Sequence, residues 1–428
     1  MSLFGRNRSL AATMFGGALF LIAGNAVAAP PDTSTNDTSE ANNTRTANYL
    51  DLIGSVGFSS NPRLNFNSSS SAFGRISASG VHSWSTERSQ TSITGYVENT
   101  SYFKNYGSQQ IFDVGADTSY TASPTVSLYG NVNFSGDING QLSNRLFTVP
   151  SGPPPPPNPG NPFPPTTATP DVLAFNGHNY RLIGQGGANI ATSERSSISL
   201  TAGAQHSWFT RNSNANYTGY FGSIGYSHLL SERTSIGPTL YLHRQDYANG
   251  GWANVINPTL TAHTQFSETW TADAAVGVLY IKQKNLGFTS DNWSPSFSGA
   301  VCDTTTLSRF CLRITHDASS AFDTRIANLG THSTIHSTAY LDYSRQLGPY
   351  GTIQAQLSAT RYSNAPAFNG SSQTTTYFSG VLGYDRRIGH RLAVGISGGA
   401  RKLYEFGPDP KADFNANVYL RYRIGDIQ

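Results

Sequence analysis

The stretch "DFNANVYLRYRI" (413–424) alternates apolar and polar residues without a break. Phe414, Ala416, Val418, Leu420, Tyr422 and Ile424 share one face; Asn415, Asn417, Tyr419, Arg421 and Arg423 share the other. A period of two is the mark of a β-strand with one apolar and one wet side. "TVSLYGNVNFS" (125–135), "GTIQAQLSATRY" (351–362) and "RLAVGISGGAR" (391–401) repeat it. Sixteen such segments can be marked: 49–58, 74–84, 91–100, 110–121, 124–135, 180–191, 196–208, 217–229, 233–244, 254–265, 269–281, 334–345, 350–362, 374–386, 390–401 and 413–424. Globular strands average about five or six residues, whereas a strand tilted across a bilayer needs about nine to eleven. These run to about ten to thirteen, which favours spanning strands over a soluble sandwich.

The connections alternate in length. Short ones carry a repeated phrase: "STERSQ" (85–90), "SERS" (193–196), "LSER" (230–233) and "SET" (267–269). Long ones include 59–73, 136–179, 282–333, 363–373 and 402–412. Short turns on the periplasmic side and longer loops outside are the habit of outer-membrane barrels, so the Ser–Glu–Arg phrases are predicted to be periplasmic turns. Ser supplies side-chain-to-backbone bonds that close a turn, and Glu and Arg keep the rim wet. Two features fit less well: Pro238 and Pro258 fall inside predicted strands, where each removes a ladder donor. "HSW" followed by "TGY" occurs at 82–96 and again at 206–220, which places Trp84 and Trp208 at strand ends, where aromatic girdles lie.

In lipid every backbone donor and acceptor needs a partner within the protein, so the sheet must close on itself. The predicted fold is all-β: a transmembrane antiparallel up-and-down barrel of about sixteen strands over 48–428, with an N-terminal signal peptide and with extracellular loops at 136–179 and 282–333. Arg6 and Arg8, the apolar run Leu10–Ile22 and the small-residue site "AVA" (26–28) read as a secretory signal peptide over 1–28. The polar stretch 29–47 is predicted to be a disordered periplasmic segment, and the Pro run within 151–170 to belong to one long loop. Localisation to the bacterial outer membrane follows, with outer-membrane lipid as a partner. Cys302 and Cys311, the only cysteines, are expected to form a disulfide in that oxidising setting, outside, in a long loop.

Charged residues make up 12% of the chain, against about 25% in an average soluble domain. A net charge of +3, with no basic patch, argues against nucleic acid. No nucleophile elbow, zinc-protease or P-loop motif occurs, and the ten His are scattered, so no catalytic set, metal site or cofactor is expected. The inner face holds what chemistry there is. Asp113, Tyr129, Asn131, Asn133, Tyr241, His243, Gln354, Gln356, Tyr419, Arg421 and Arg423 are predicted to line the lumen. Amides and hydroxyls bond sugar hydroxyls, and Tyr rings stack on their apolar faces, which suits a neutral or weakly charged saccharide. Any barrel interior is polar, so a general diffusion porin and a non-conducting structural or adhesive barrel stay open as alternatives.

The leader, the early strand "LIGSVGFSSNPRL" (52–64) running into Asn61 and Pro62, and hairpins such as "GYSHLLSERTSIGPTLYLHRQDY" (225–247) together resemble the outer-membrane β-barrel porins found beside exopolysaccharide synthesis clusters. That resemblance implies a channel with a role in polysaccharide export and insertion by the outer-membrane barrel assembly machinery.

Overall fold

A computed structural model describes residues 48–62, 64, 69–104, 106–138, 178–210, 216–285, 288–319, 334–364, 374–404 and 411–425. The expected signal peptide (1–28), the segment 29–47, the Pro run and most of the loop 136–179 lie outside the described residues.

Among the described residues eighteen strands follow one another in chain order: β1 (Asn48–Ser59), β2 (Ser71–Ser85), β3 (Ser89–Tyr102), β4 (Ser108–Ser123), β5 (Val126–Ile138), β6 (His178–Ser193), β7 (Ser196–Phe209), β8 (Tyr217–Ser231), β9 (Thr234–Tyr247), β10 (Trp252–Gln265), β11 (Trp270–Asn285), β12 (Phe288–Thr304), β13 (Ser308–Ser319), β14 (Thr334–Leu347), β15 (Gly351–Asn364), β16 (Thr374–Arg387), β17 (Leu392–Tyr404) and β18 (Asp413–Gly425). Each pairs antiparallel with its sequence neighbours, and β18 pairs with β1 from Tyr49↔Gly425 to Ser59↔Asn415. The sheet is therefore a closed ring, as the backbone-satisfaction argument requires.

The count corrects the expected sixteen. All sixteen predicted segments are strands, and two more, β12 and β13, lie within the predicted loop 282–333. The outward face of β12 carries Asp291, Pro295, Gly299 and Asp303 among Trp293, Phe297 and Val301, which dilutes its periodicity. β13 is short, but Phe310, Leu312, Ile314 and His316 do alternate. The disulfide Cys302–Cys311 is present, but it does not sit in a long loop. It joins directly paired residues of β12 and β13 beside the turn at 305–307, on the short-turn rim.

The short turns are built as the repeated phrase suggests. Oγ of Ser193, Ser231 and Ser267 accepts the backbone N–H two residues on, from Arg195, Arg233 and Thr269. Thr86 Oγ1 accepts from the N–H groups of Arg88 and Ser89. The register slips at Ala191/Ser193 and Leu229/Ser231, so two of these hairpins enter their turn through a bulge, as does the β4–β5 hairpin at Thr121/Ser123.

The two prolines are accommodated on one side only. β9 pairs with β8 up to Gly225↔Thr239 and again from His228↔Ile236, skipping Pro238. β10 pairs with β11 up to Ile256↔Tyr280 and again from Thr259↔Gly277, skipping Pro258. The ladder between β9 and β10 runs unbroken through both. A glycine sits at each skip: a Cβ on Gly237 would lie 1.7 Å from the Tyr226 carbonyl oxygen, and one on Gly277 2.1 Å from that of Pro258.

Leu50, Leu52, Val56 and Phe58 on β1, Ile224 on β8, Leu260 on β10, Val276 on β11, Leu357 on β15 and Phe414, Val418 and Leu420 on β18 are all exposed. On each of these strands they fall on one parity, and together they form an apolar exterior. The exterior has an upper edge. The outward row Leu242–Ile256–Tyr280–Trp293 is followed, one step nearer the long-loop rim, by Arg244–Asn254–Lys282–Asp291. Tyr280 and Trp293 pack with ring centroids 4.6 Å apart at that boundary. Trp84 lies at the short-turn end of β2 and Trp208 at the long-loop end of β7, so the two "HSW…TGY" segments traverse the barrel in opposite senses.

Candidate functional site

The opposite parity faces inward. Asp113 and Asp117 project from β4 beside Asn133 and Asn131 of β5, whose side-chain N–H groups donate to them at 2.8 and 2.5 Å. Gln356 of β15 donates to Asp342 of β14 at 3.4 Å, and Gln354 shares its face. His263 and Asp273 form a half-exposed pair at 2.7 Å near the short-turn end of β10 and β11. Arg309 and Arg313 on β13 share the inward parity with Cys311. β13 stands nine strands from β4 in a ring of eighteen. The acidic wall of β4 thus faces a strand with two arginines across the lumen.

Several inward aromatics lie flat along the wall. The Tyr129 ring crosses Gly187 of β6, where a Cβ would meet its hydroxyl at 2.4 Å, and bonds Thr201 of β7. The Tyr419 ring crosses Gly395 of β17 in the same way and donates to Asp385 of β16 at 3.1 Å. Each glycine makes room for a ring rather than for a turn. Arg421 donates to the other oxygen of Asp385 at 3.0 Å. Arg423 forks onto Asp51 of β1 and lies 4.3 Å over the Tyr49 ring. The charges of Arg421 and Arg423 are thus matched locally by carboxylates, leaving the wall at β16–β18 and β1 nearly neutral.

Tyr241 and His243 of β9 share the inward parity too, but in a crowded part of the wall. Gln205, Gly219 and Gln245 stand in one cross-strand row over β7, β8 and β9. Arg181 of β6 donates to Gln205 at 2.8 Å. Arg181 and Asp317 both lie within electrostatic reach of Tyr241.

Burial divides the inner wall by height. Toward the short-turn rim, inward residues such as Ser119, Ser197, Thr261, Thr271 and Ser344 keep access to solvent. Toward the long-loop rim they are buried. Phe209, Tyr217, Tyr247 and Ala253 pack together; Val255, Leu279 and Ile281 pack with Ile335; Leu64 packs with Tyr377 and Leu403. Asn257 of β10 reaches Ser296 of β12 at 3.0 Å and Asp317 of β13 at 3.5 Å, so the ring is drawn inward there. The β12–β13 ladder stops at Phe297↔His316, leaving the upper part of β12 paired with β11 alone.

Two ion pairs were not legible as such. Arg75 and Glu98 lie 3.3 Å apart with Thr100 bonded to both, and Arg401 and Asp413 form a fully buried pair. Their signal in the sequence is only that each charge sits on the polar parity of its strand. Among the described residues no group of three or more His, Cys, Asp or Glu is placed to hold a metal ion.

A closed antiparallel ring with an apolar exterior and a polar, charged interior defines a membrane-spanning β-barrel. No protein family and no curated sequence matches the chain. Among solved structures it is similar to the apoprotein form of the FrpB iron transporter of Neisseria meningitidis, at 9% identity, TM-score 0.44, covering 89% of this chain and 82% of that one. It is also similar to OccK2 (OpdF) of Pseudomonas aeruginosa, at 11% identity, TM-score 0.44, covering 89% and 98%. OpdK of the same organism, solved with vanillate, shares 12% identity with TM-score 0.41, covering 88% and 98%.

Proposed function

We propose that the protein is a bacterial outer-membrane channel that passes polar solutes down their gradient. The observation that carries this reading is the division of faces: exposed apolar side chains recur on the outward parity between the two rims, and carboxylates, amides, hydroxyls and arginines recur on the inward parity. An interior of that kind in a ring this wide serves water-borne traffic. Asp113, Tyr129, Asn131, Asn133, Tyr241, His243, Gln354, Gln356, Tyr419, Arg421 and Arg423 are assigned to its lining. Locally neutralised charge and many amides suit a neutral saccharide better than an ion. The resemblance carried by residues 52–64 and 225–247 supports an exopolysaccharide as that saccharide, with the barrel assembly machinery and outer-membrane lipid as partners. The buried long-loop half of the inner wall favours a narrowed conduit over a wide diffusion pore.

The test is conductance of the purified protein in planar bilayers. Ion current that neutral oligosaccharides block supports the saccharide channel. Current they leave untouched makes the protein a general porin, and a silent membrane makes it a structural barrel. Loss of polysaccharide secretion on deletion, restored by the wild-type gene, tests the export role.

A further inference from the structure

Inward arginines of this barrel usually have a protein partner. Arg75, Arg401, Arg421 and Arg423 each bond a carboxylate, and Arg181 bonds Gln205. Arg309 and Arg313 of β13 differ. Among the described residues neither makes a hydrogen bond or an ion pair. Both stand on the inward parity, against the exposed Leu312 and Ile314 on the other face, and both keep partial access to solvent. The β12–β13 and β13–β14 ladders are intact at this height, so that solvent is the water of the lumen.

Nearby carboxylates are engaged elsewhere. Asp342 lies directly across from Cys311, between the two arginines, and accepts from Gln356 at 3.4 Å without pairing with either. Asp273, reached from Arg313 through Ala300, is held by His263 at 2.7 Å. Cys311 stands between the arginines on the same face and is tied to Cys302, which fixes their spacing. Four residues of strand set their Cα atoms about 13 Å apart. Groups that suit a sugar surround them, each with access to solvent. Tyr340 lies directly across from Arg313, within electrostatic reach of both arginines; Ser344 lies across from Arg309, and Gln354 beyond Ser344. A guanidinium without a protein partner offers its fork to a carboxylate from solution. A tyrosine ring offers a face to a sugar ring, and amides and hydroxyls bond its hydroxyls.

We propose that Arg309 and Arg313 form a two-point station in the lumen for the carboxylates of an acidic saccharide, with Tyr340, Ser344 and Gln354 contacting its sugar rings. The inference rests on the channel reading above. It adds to that reading's saccharide carboxylates spaced along an otherwise neutral chain.

Block of the current in planar bilayers by a glucose hexamer and by a glucuronate hexamer tests it. The acidic hexamer should half-block the wild type at a concentration at least about tenfold lower than the neutral one, as charged hydrogen bonds require. Arg309→Gln with Arg313→Gln should abolish that preference and leave block by the neutral hexamer unchanged. Arg313→Lys keeps the charge but loses the fork, so it should lose part of the preference. Arg345→Gln removes a charge from the outward parity of the next strand and should change nothing. Equal block by the two hexamers, a preference that survives in the double Gln variant, or a Lys variant as selective as the wild type would each overturn the station while leaving the channel intact. Inorganic phosphate blocking as strongly as the acidic hexamer would overturn it too, by making the pair a general anion filter. A wild type that carries no current overturns both.

Discussion

Arg423 donates from Nε and Nη2 to the two oxygens of Asp51 at 2.7 and 2.8 Å, binding the last strand to the first across 372 residues of sequence. The pair sits on the one junction of the barrel that no turn enforces, since every other neighbouring pair of strands is also adjacent in the chain. It works as a side-chain staple beside the β1–β18 ladder.

Removing one partner should therefore loosen closure. Arg423→Gln leaves Asp51, only 1% exposed, without its cation, and the loss of charged hydrogen bonds is expected to cost about 1–3 kcal/mol. The midpoint of the folded-to-unfolded mobility shift on heating in detergent should fall. A second substitution, Asp51→Asn, should recover part of the loss; no difference between single and double variants would remove the staple from the account.

The exterior and interior should respond oppositely to charge. Val276→Arg places a cation on the lipid face near mid-strand and is expected to cost about 2–4 kcal/mol of folding into vesicles, falling toward zero near the rims. Thr261→Arg, on the inward parity of β10, should cost far less. Urea titration in lipid measures both, and equal costs would mean that the faces have been assigned wrongly.

Gly237 is a packing requirement rather than a turn residue. Its Cβ position lies inside the contact distance of the Tyr226 carbonyl where the ladder skips Pro238. Gly237→Ala should lower barrel yield on refolding, while Gly250→Ala, at φ 83° in the turn between β9 and β10, should cost about 1 kcal/mol through backbone strain alone.

Ion selectivity should follow the opposed walls. Asp113→Asn with Asp117→Asn is expected to shift the zero-current potential in a salt gradient toward anions, and Arg309→Gln with Arg313→Gln toward cations. Unchanged potentials in both variants would mean that ions do not travel between β4 and β13.

The disulfide should act as a local staple. Cys302 and Cys311 are nine apart in sequence and already paired across β12 and β13. The double Ser variant should keep the barrel and lose about 2–3 kcal/mol by the loop-entropy estimate, read as a lower urea midpoint; a refolded barrel with two alkylatable thiols would contradict the bond.

Strand faces were written in the chain. Phe414 to Ile424 and Asn415 to Arg423 separate by parity alone, because a strand sends successive side chains to opposite sides whatever its neighbours are. Ser193, Ser231 and Ser267 mark their turns for the same reason: the bond they make reaches only two residues along. Where local periodicity is diluted, as around Pro295 and Gly299, the chain does not mark its strands. What only the tertiary structure decided is which inward groups meet. Arg401 with Asp413 and Pro62, Asn257 with Asp317, and Arg423 with Asp51 depend on ring closure and register, which bring together residues far apart in the chain. Alternation is a property of a few consecutive residues; the pairings inside a closed ring belong to all eighteen strands at once.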